Sequence, residues 1–420
     1  MQEAIAGVVF AATILGLYLR PFGAKDWHVA LAGAVIAWVA APLSLREGTH
    51  IVWHSWNIIA FFLGLMLLSA GAEAAGLYRR VASALRAQPA GLRRVAMMLG
   101  IGAAITAILS NDATPLVLTP AIFAASVGES SNTMAAALAA TFTADGASLL
   151  LPISNPVGLL FYQRFNLGFE HYALHILPAA AAGVAALALV TWLRAGHASA
   201  HIAPVPFPKT EALAPTQSSR FANFAMLTVG ALASAYVAAA VVGAPLGLVT
   251  LGGGLVLCTG ALVSGEFDRA RFARQISPGL LIFVAALLVL VQAVASAGLL
   301  HRLSDLFGYI DDQPTLITIV GAALIATVLS NLMNNWPAAL VVAATIALQP
   351  GAHGALIVGS LIGCTIGANL TMVGSLSTVF WLSLVRHEGA DISPGAYVRA
   401  AALPTVAAVA TACLVAAVTI

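Results

Sequence analysis

Polar side chains that could bind a solute or carry a proton are gathered at four places in an otherwise apolar chain. The first is Ser110-Asn111-Asp112-Ala113-Thr114-Pro115, and the second is Asp145-Gly146-Ala147-Ser148 running on to Ser154-Asn155-Pro156. The third is Ser330-Asn331-Leu332-Met333-Asn334-Asn335-Trp336-Pro337, and the fourth is Gly367-Ala368-Asn369-Leu370-Thr371 ending in Gly374-Ser375. Amides and hydroxyls both donate and accept hydrogen bonds. Asn111, Asn155, Asn331, Asn334, Asn335, Asn369, Thr371 and Ser375 therefore offer both kinds of contact and are the candidate solute-binding residues. No Lys or Arg falls inside the motifs, which disfavours a dicarboxylate, although helix N-termini can also hold carboxylates. Coupling to an ion gradient needs a group that changes charge, and acidic residues at membrane depth serve as proton relays. Asp145, in mid-stretch, is the first candidate for that proton coupling. Asp112 is the second, with orientation of neighbouring amides, Na⁺ binding or a helix cap as its other readings.

These residues need elements to position them, and composition says which kind. The 420 residues include 18 Lys+Arg and 16 Asp+Glu, so 8 % are charged while 60 % are hydrophobic. A soluble domain carries roughly 25 % charged residues, and a soluble fold of this size could not cover its surface with so few. The apolar runs are continuous rather than alternating, which excludes a β-barrel. At about 20 residues per spanning helix, the chain reads as an all-α polytopic membrane protein. A net charge of +2 without a basic stripe gives no nucleic-acid signature. Cys258, Cys364 and Cys413 are widely spaced in apolar sequence and fit neither a metal centre nor a disulfide framework. No cofactor is expected, and no nucleophile–base pair or HExxH motif argues for an enzyme. The first apolar segment has no basic region before it and reads as a retained helix rather than a signal peptide.

Apolar stretches separated by polar turns give spans at about 3–19, 27–45, 52–76 and 172–193, then 221–242, 245–264, 278–299 and 398–418. Between them lie four longer, interrupted stretches at about 95–126, 133–164, 315–348 and 354–385. The polar, proline-rich segment 194–220 divides the chain into a first half, 1–193, and a second, 221–420. The halves match in sequence. Ile108-Leu109-Ser110-Asn111 aligns with Val328-Leu329-Ser330-Asn331 at an offset of 220, and Gly146-Ala147-Ser148-Leu149 with Gly367-Ala368-Asn369-Leu370 at 221, which also pairs Ser154 with Ser375. This is the signature of an internal duplication.

Reading 95–126 and 315–348 as re-entrant hairpins, and 133–164 and 354–385 as broken helices, gives about ten crossings. Each half then has an odd number of crossings, so the second half is inverted relative to the first. Of the 18 basic residues, Arg46, Arg164 and Arg302 then fall on one side and the other fifteen on the opposite one. By the positive-inside rule the linker 194–220 is cytoplasmic and both termini lie outside, in a multi-pass inner (plasma) membrane protein. Glycine, proline, asparagine and serine break helices, and freed backbone at membrane depth survives only around a protected cavity. Two hairpin tips and two unwound helices meeting near the midplane describe an inverted-repeat secondary transporter. The i,i+4 pairs His50/His54, His171/His175 and His197/His201 read as interfacial histidines, and Cys364 reads as packing.

Four segments carry a family resemblance: Ser110-Asn111-Asp112…Leu118-Thr119-Pro120, Ala144-Asp145-Gly146-Ala147-Ser148-Leu149, Leu329-Ser330-Asn331-Leu332-Met333-Asn334-Asn335-Trp336-Pro337 and Leu370-Thr371-Met372-Val373-Gly374-Ser375-Leu376-Ser377-Thr378. Together, from about Val95 to Trp381, they resemble the arsenite/antimonite efflux permeases of the ion-transporter superfamily. Met372 stands where that family usually has proline, and Thr114 where it has a smaller residue. The resemblance implies export of trivalent metalloid hydroxides in exchange for protons, in some members with a cytosolic ATPase subunit. Two other functions share the scaffold or the polar cluster: a Na⁺/H⁺ antiporter or Na⁺-coupled carboxylate carrier, and an uncoupled channel for small neutral solutes.

Overall fold

The computed structural model describes residues 2–19, 24–40, 45–86, 92–125, 130–195, 219–351, 353–387 and 389–420. Among them it is all-helical. The first half runs α1 (Gln2–Leu19), α2 (Asp26–Ala40), α3 (Leu45–His54), α4 (Trp56–Ala74), α5 (Leu77–Arg86), α6 (Leu92–Ile108), α7 (Ala113–Ala125), α8 (Ser130–Gly146), α9 (Pro156–Arg164), the single turn α10 (Phe169–His171) and α11 (Leu177–Ala195). The second half runs α12 (Ser219–Val242), α13 (Leu246–Val263), α14 (Arg269–Gln275), α15 (Pro278–Ser296), α16 (His301–Asp311), α17 (Thr315–Met333), α18 (Asn335–Ile346), α19 (Gly354–Thr365), α20 (Leu376–His387) and α21 (Pro394–Thr419). Most of the central linker, residues 196–218, lies outside the described residues.

Seven of the described helices are long and apolar enough to cross a membrane: Trp56–Ala74, Phe169–Arg194, Arg220–Val242, Leu246–Val263, Pro278–Ser296, Thr315–Met333 and Pro394–Thr419. The shorter apolar helices are those that the sequence expects to be interrupted, together with α1 and α2. Proline marks several starts, with Pro156, Pro278 and Pro394 each in the first turn of its helix, where the missing N–H costs nothing. Ser393 Oγ accepts from the Ala396 N–H at 3.3 Å and caps α21.

Packing exchanges equivalent elements between the halves. The second span of each half lies along the third span of the other, so α2 packs on α15 and α4 on α13. In the same way α7 meets α20 while α9 meets α18, and α11 lies along α21. Lipid is as apolar as leucine, so helices in it associate through close packing at small residues. Gly359 and Gly363 on α19, and Gly367 in the turn that follows it, recur every four residues against α17. A Cβ at Gly363 would stand 2.3 Å from the Ala323 carbonyl oxygen. Replacing Gly363 with valine should therefore force α17 and α19 apart. A loss of about 1–3 kcal/mol is expected, read as a lower melting temperature of the purified protein.

Candidate functional site

The site begins where four helices break. After α6 the chain turns at Ser110, whose φ of 142° is positive, and starts α7; after α17 it turns at Asn334, with φ 75°, and starts α18. Positive φ is costly for residues other than glycine and persists only where the surroundings hold it. The surroundings do so by the same device twice. The Asn111 N–H donates to the Ser154 carbonyl at 2.9 Å, and the Asn335 N–H donates to the Gly374 carbonyl at 2.8 Å. Each hairpin tip is thus tied by backbone to the broken helix of its own half.

These two bonds set the register of the tips. They pair Ser110 with Asn334 and Asn111 with Asn335, about one helical turn beyond the 220-residue offset that the sequence match suggests. Asn331 therefore sits in the last turn of α17 rather than at the tip. The caps differ by one residue as well. Asn155 Oδ1 accepts from the Val157 N–H at 2.9 Å and Ser375 Oγ from the Ser377 N–H at 3.2 Å, so Asn155, not Ser154, stands opposite Ser375.

Asp145, at the end of α8, is the hub. It is fully buried. Its Oδ1 accepts from Asn111 Nδ2 at 3.1 Å and from Ser375 Oγ at 2.7 Å, and its Oδ2 accepts from Thr378 Oγ1 at 3.0 Å. One carboxylate thus joins the first hairpin tip to the broken helix of the second half. Ser377 Oγ reinforces the joint by donating to the Asn111 carbonyl at 2.9 Å. Asn369 Nδ2 donates to the Phe142 carbonyl on α8 at 3.1 Å. Two buried amide oxygens beside this joint, Asn111 Oδ1 and Asn369 Oδ1, have no hydrogen-bond partner in the described structure. Buried acceptors left without donors are rare, and a solute with hydroxyl groups would satisfy them.

The other candidates gather around the second break. Asn331 Nδ2 donates to the Thr327 and Gly367 carbonyls at 2.8 and 2.9 Å, while its Oδ1 accepts from Thr371 Oγ1 at 2.8 Å. Asn334 donates from Nδ2 to the Val373 carbonyl at 3.0 Å and caps α18 by accepting from the Trp336 N–H at 3.3 Å. Asn155 is engaged with its own helix start and with Ser148 Oγ, at 3.2 Å from its Nδ2. Asn155, Asn331 and Asn334 thus spend much of their hydrogen-bonding capacity on holding the breaks. Asn335 is buried behind the tip.

Gly374 shows how tightly the break is built: a Cβ there would stand 2.1 Å from the Ala368 carbonyl oxygen and 2.7 Å from Asn331 Oδ1. Gly374→Ala should displace Asn331 and the carbonyl that receives the Asn335 N–H. Solute binding is expected to weaken at least tenfold, as measured by equilibrium dialysis.

Sequence reasoning passed over Thr378, Ser377 and Tyr397 as site residues. Thr378 and Ser377 lie just beyond the fourth cluster, and their spacing from Ser375 was the available signal. Tyr397 is fully buried on α21, its ring 5.6 Å from that of Phe142, with Thr378 and Asp145 as electrostatic neighbours. A tyrosine early in a long span was its signal.

Two cavities reach the tips. One of about 320 Å³ runs from Met333, Asn334, Met372 and Val373 to Asp26 and Arg386. Arg386 is tied at its mouth, donating from Nε to Asp391 Oδ1 at 3.0 Å, and that hydrogen bond holds the exposed Asp391 carboxyl below the usual carboxylate range. The second cavity, about 220 Å³, is lined by Ser110 and Asp112 of the first tip and by Ser69, Ser277, Leu280 and Phe380.

The model of the citrate transporter family CitMHS matches residues 25–367. The chain belongs to that transporter family. Among curated proteins it is 27 % identical over 410 residues to the arsenical pump membrane protein of Escherichia coli K12, covering 96 % of this chain and 95 % of the relative. It is 28 % identical over 414 residues to the protein of the same name in Yersinia enterocolitica, covering 96 % and 95 %. An uncharacterised transporter of Mycobacterium tuberculosis is 23 % identical over 405 residues, covering 92 % of each chain. The solved YdaH transporter of Alcanivorax borkumensis superposes with a TM-score of 0.59 over 97 % of this chain and 98 % of its own, at 15 % identity, which shows a shared fold. The resemblance read from the four motifs is therefore borne out. So are the all-helical membrane fold and the assignment to transport.

Proposed function

We propose that the chain exports trivalent metalloid hydroxides, arsenite and antimonite, from the cytoplasm in exchange for protons. The observation that carries this reading is the joint around Asp145. It offers amide and hydroxyl groups, leaves the Asn111 and Asn369 oxygens ready to accept, and includes no Lys or Arg in its hydrogen bonds. Arsenous acid is neutral at pH 7 and brings three hydroxyl donors, which suits unpaired acceptors better than a fixed cation would. The two arsenical pump relatives cover nearly the whole chain and support the same substrate. Asp112 and Asp145 supply the only carboxylates of the four motifs, and the proton is assigned to this pair.

The same reading takes residues 1–193 and 221–420 as inverted repeats of five crossings and one hairpin each, joined by a cytoplasmic linker, with both termini outside. The exchanged packing of α2 on α15 and α4 on α13, and the paired tip bonds, support it. Both cavities lie toward the end of the molecule that carries Lys25, Arg269 and Arg386, the end assigned to the cytoplasm.

A second reading, a carboxylate carrier, draws on the name of the matching family, the citrate transporters. Competition separates the two. Antimonite should displace arsenite from the purified protein, whereas citrate, succinate and Na⁺ should not; displacement by any of those three would favour the carrier. A neutral solute held by several modest bonds, each worth about 0.5–1.5 kcal/mol, loses little with one of them. Asn369→Ala should therefore weaken arsenite binding roughly three- to tenfold.

A further inference from the structure

We propose that Asp112 is the carboxylate that takes up and releases the transported proton, and that Asp145 is a positioning residue that holds the two halves around it. The proposal rests on the proton-exchange reading above and reverses the order in which the sequence ranks the two acids. The difference between them is access.

Both carboxylate oxygens of Asp145 are occupied, by Asn111, Ser375 and Thr378, and neither cavity touches it. Oδ1 accepts twice and Oδ2 once, so a single lone-pair site stays open, and neither cavity brings water to it. Asp112 instead lines the 220 Å³ cavity beside the hydroxyls of Ser69, Ser110 and Ser277. At about 30 Å³ per water that volume holds a short chain of waters. Ser277 precedes the first turn of α15 and follows α14 (Arg269–Gln275), so the cavity leads toward the basic end of the molecule.

Among the described residues, few charged or titratable groups stand on the elements around Asp112. Asp145 on α8 acts on it electrostatically. On α4, Glu73 lies one turn beyond Ser69, and Ser69 in turn pairs with the Tyr78 hydroxyl of α5 at 2.9 Å. Arg79 and Arg80 also stand on α5, which packs on α7, and Arg80 is directed to Asn223 of α12 at 3.2 Å. On α6, Arg93 and Arg94 lie in the first turn, at the end of the helix away from the tip, and Arg386 on α20 is paired with Asp391.

The step is a single transfer. A hydronium in the cavity gives its proton to a carboxylate oxygen of Asp112, one O–H bond forms, and water is left; release reverses it. The change in charge is felt at Asp145 and, through Asn111 and Ser377, along α20 in the other half. Proton occupancy at the first hairpin is thereby linked to the break that carries the second tip.

The test uses the full chain reconstituted in liposomes, with infrared difference spectra recorded across a pH titration in the absence of any solute. Among the carbonyl bands of carboxyls that protonate on acidification, one should be missing in Asp112→Asn, return in Asp112→Glu, and persist in Asp145→Asn. In parallel, Asp112→Asn should abolish pH-driven arsenite uptake into inverted vesicles while arsenite–arsenite exchange continues. A set of bands unchanged in Asp112→Asn, or loss of the same band in Asp145→Asn, would overturn the proposal. Absence of arsenite transport in the unaltered protein would instead count against the proposed substrate, because the infrared result is independent of solute.

Discussion

Asp145→Leu should be the most damaging single substitution in the chain. Leucine is close to aspartate in reach but accepts nothing, so Asn111 Nδ2, Ser375 Oγ and Thr378 Oγ1 would all be left without their buried acceptor. A buried polar group stripped of its partner costs about 1–3 kcal/mol, and here three such groups lose theirs together. A marginally stable protein cannot absorb that loss without unfolding in part. The expected result is a protein that inserts but melts well below the wild type and fails to bind arsenite. Asparagine is the informative contrast. Its Oδ1 can accept from Asn111 and Ser375, and its Nδ2 can donate to Thr378 Oγ1, so Asp145→Asn should recover most of the stability. Equal melting temperatures for the leucine and asparagine variants would contradict the role of Asp145 as the joint between halves.

The second large effect is all-or-none and concerns orientation. If the halves are inverted, Ser83, at the end of α5 before the first hairpin, and Asp312, just before α17, face opposite sides of the membrane. Both side chains are exposed. Single cysteines at the two positions, in a background without Cys258, should react with an impermeant maleimide from opposite sides of oriented vesicles. Labelling of both from one side would remove the inverted repeat and, with it, the assignment of both cavities to the cytoplasmic face.

The sequence shows where helices stop more reliably than it shows where side chains point. The interrupted stretches expected at 95–126, 133–164, 315–348 and 354–385 appear as α6–α7, α8–α9, α17–α18 and α19–α20, because asparagine, glycine and proline at depth mark breaks regardless of context. The register between halves was less legible. Ser330-Asn331 resembles Ser110-Asn111 in letters, yet the second tip forms about one turn later, at Asn334, where positive φ and the bond to Gly374 fix it. One effect is that the structural counterpart of Asp112 is Trp336, which is buried with its ring 5.7 Å from that of Phe62.

The division of labour among the asparagines was also hidden. An asparagine that caps a helix and one that faces a solute look alike in sequence, and tertiary contacts alone separate Asn155 and Asn334, which cap, from Asn111 and Asn369, which keep an oxygen unpaired. The same applies to the two acids. Their depth could be read from the pattern, but the cavity beside Asp112 is formed by α4, α15 and α20, elements distant in the chain.

The most direct test of the account is arsenite uptake into inverted membrane vesicles with an imposed pH gradient, acid inside. Accumulation should rise with the gradient, collapse when a protonophore dissipates it, and be inhibited by antimonite but not by citrate or Na⁺. Uptake that ignores the gradient, or that requires Na⁺, would contradict proton-coupled metalloid export.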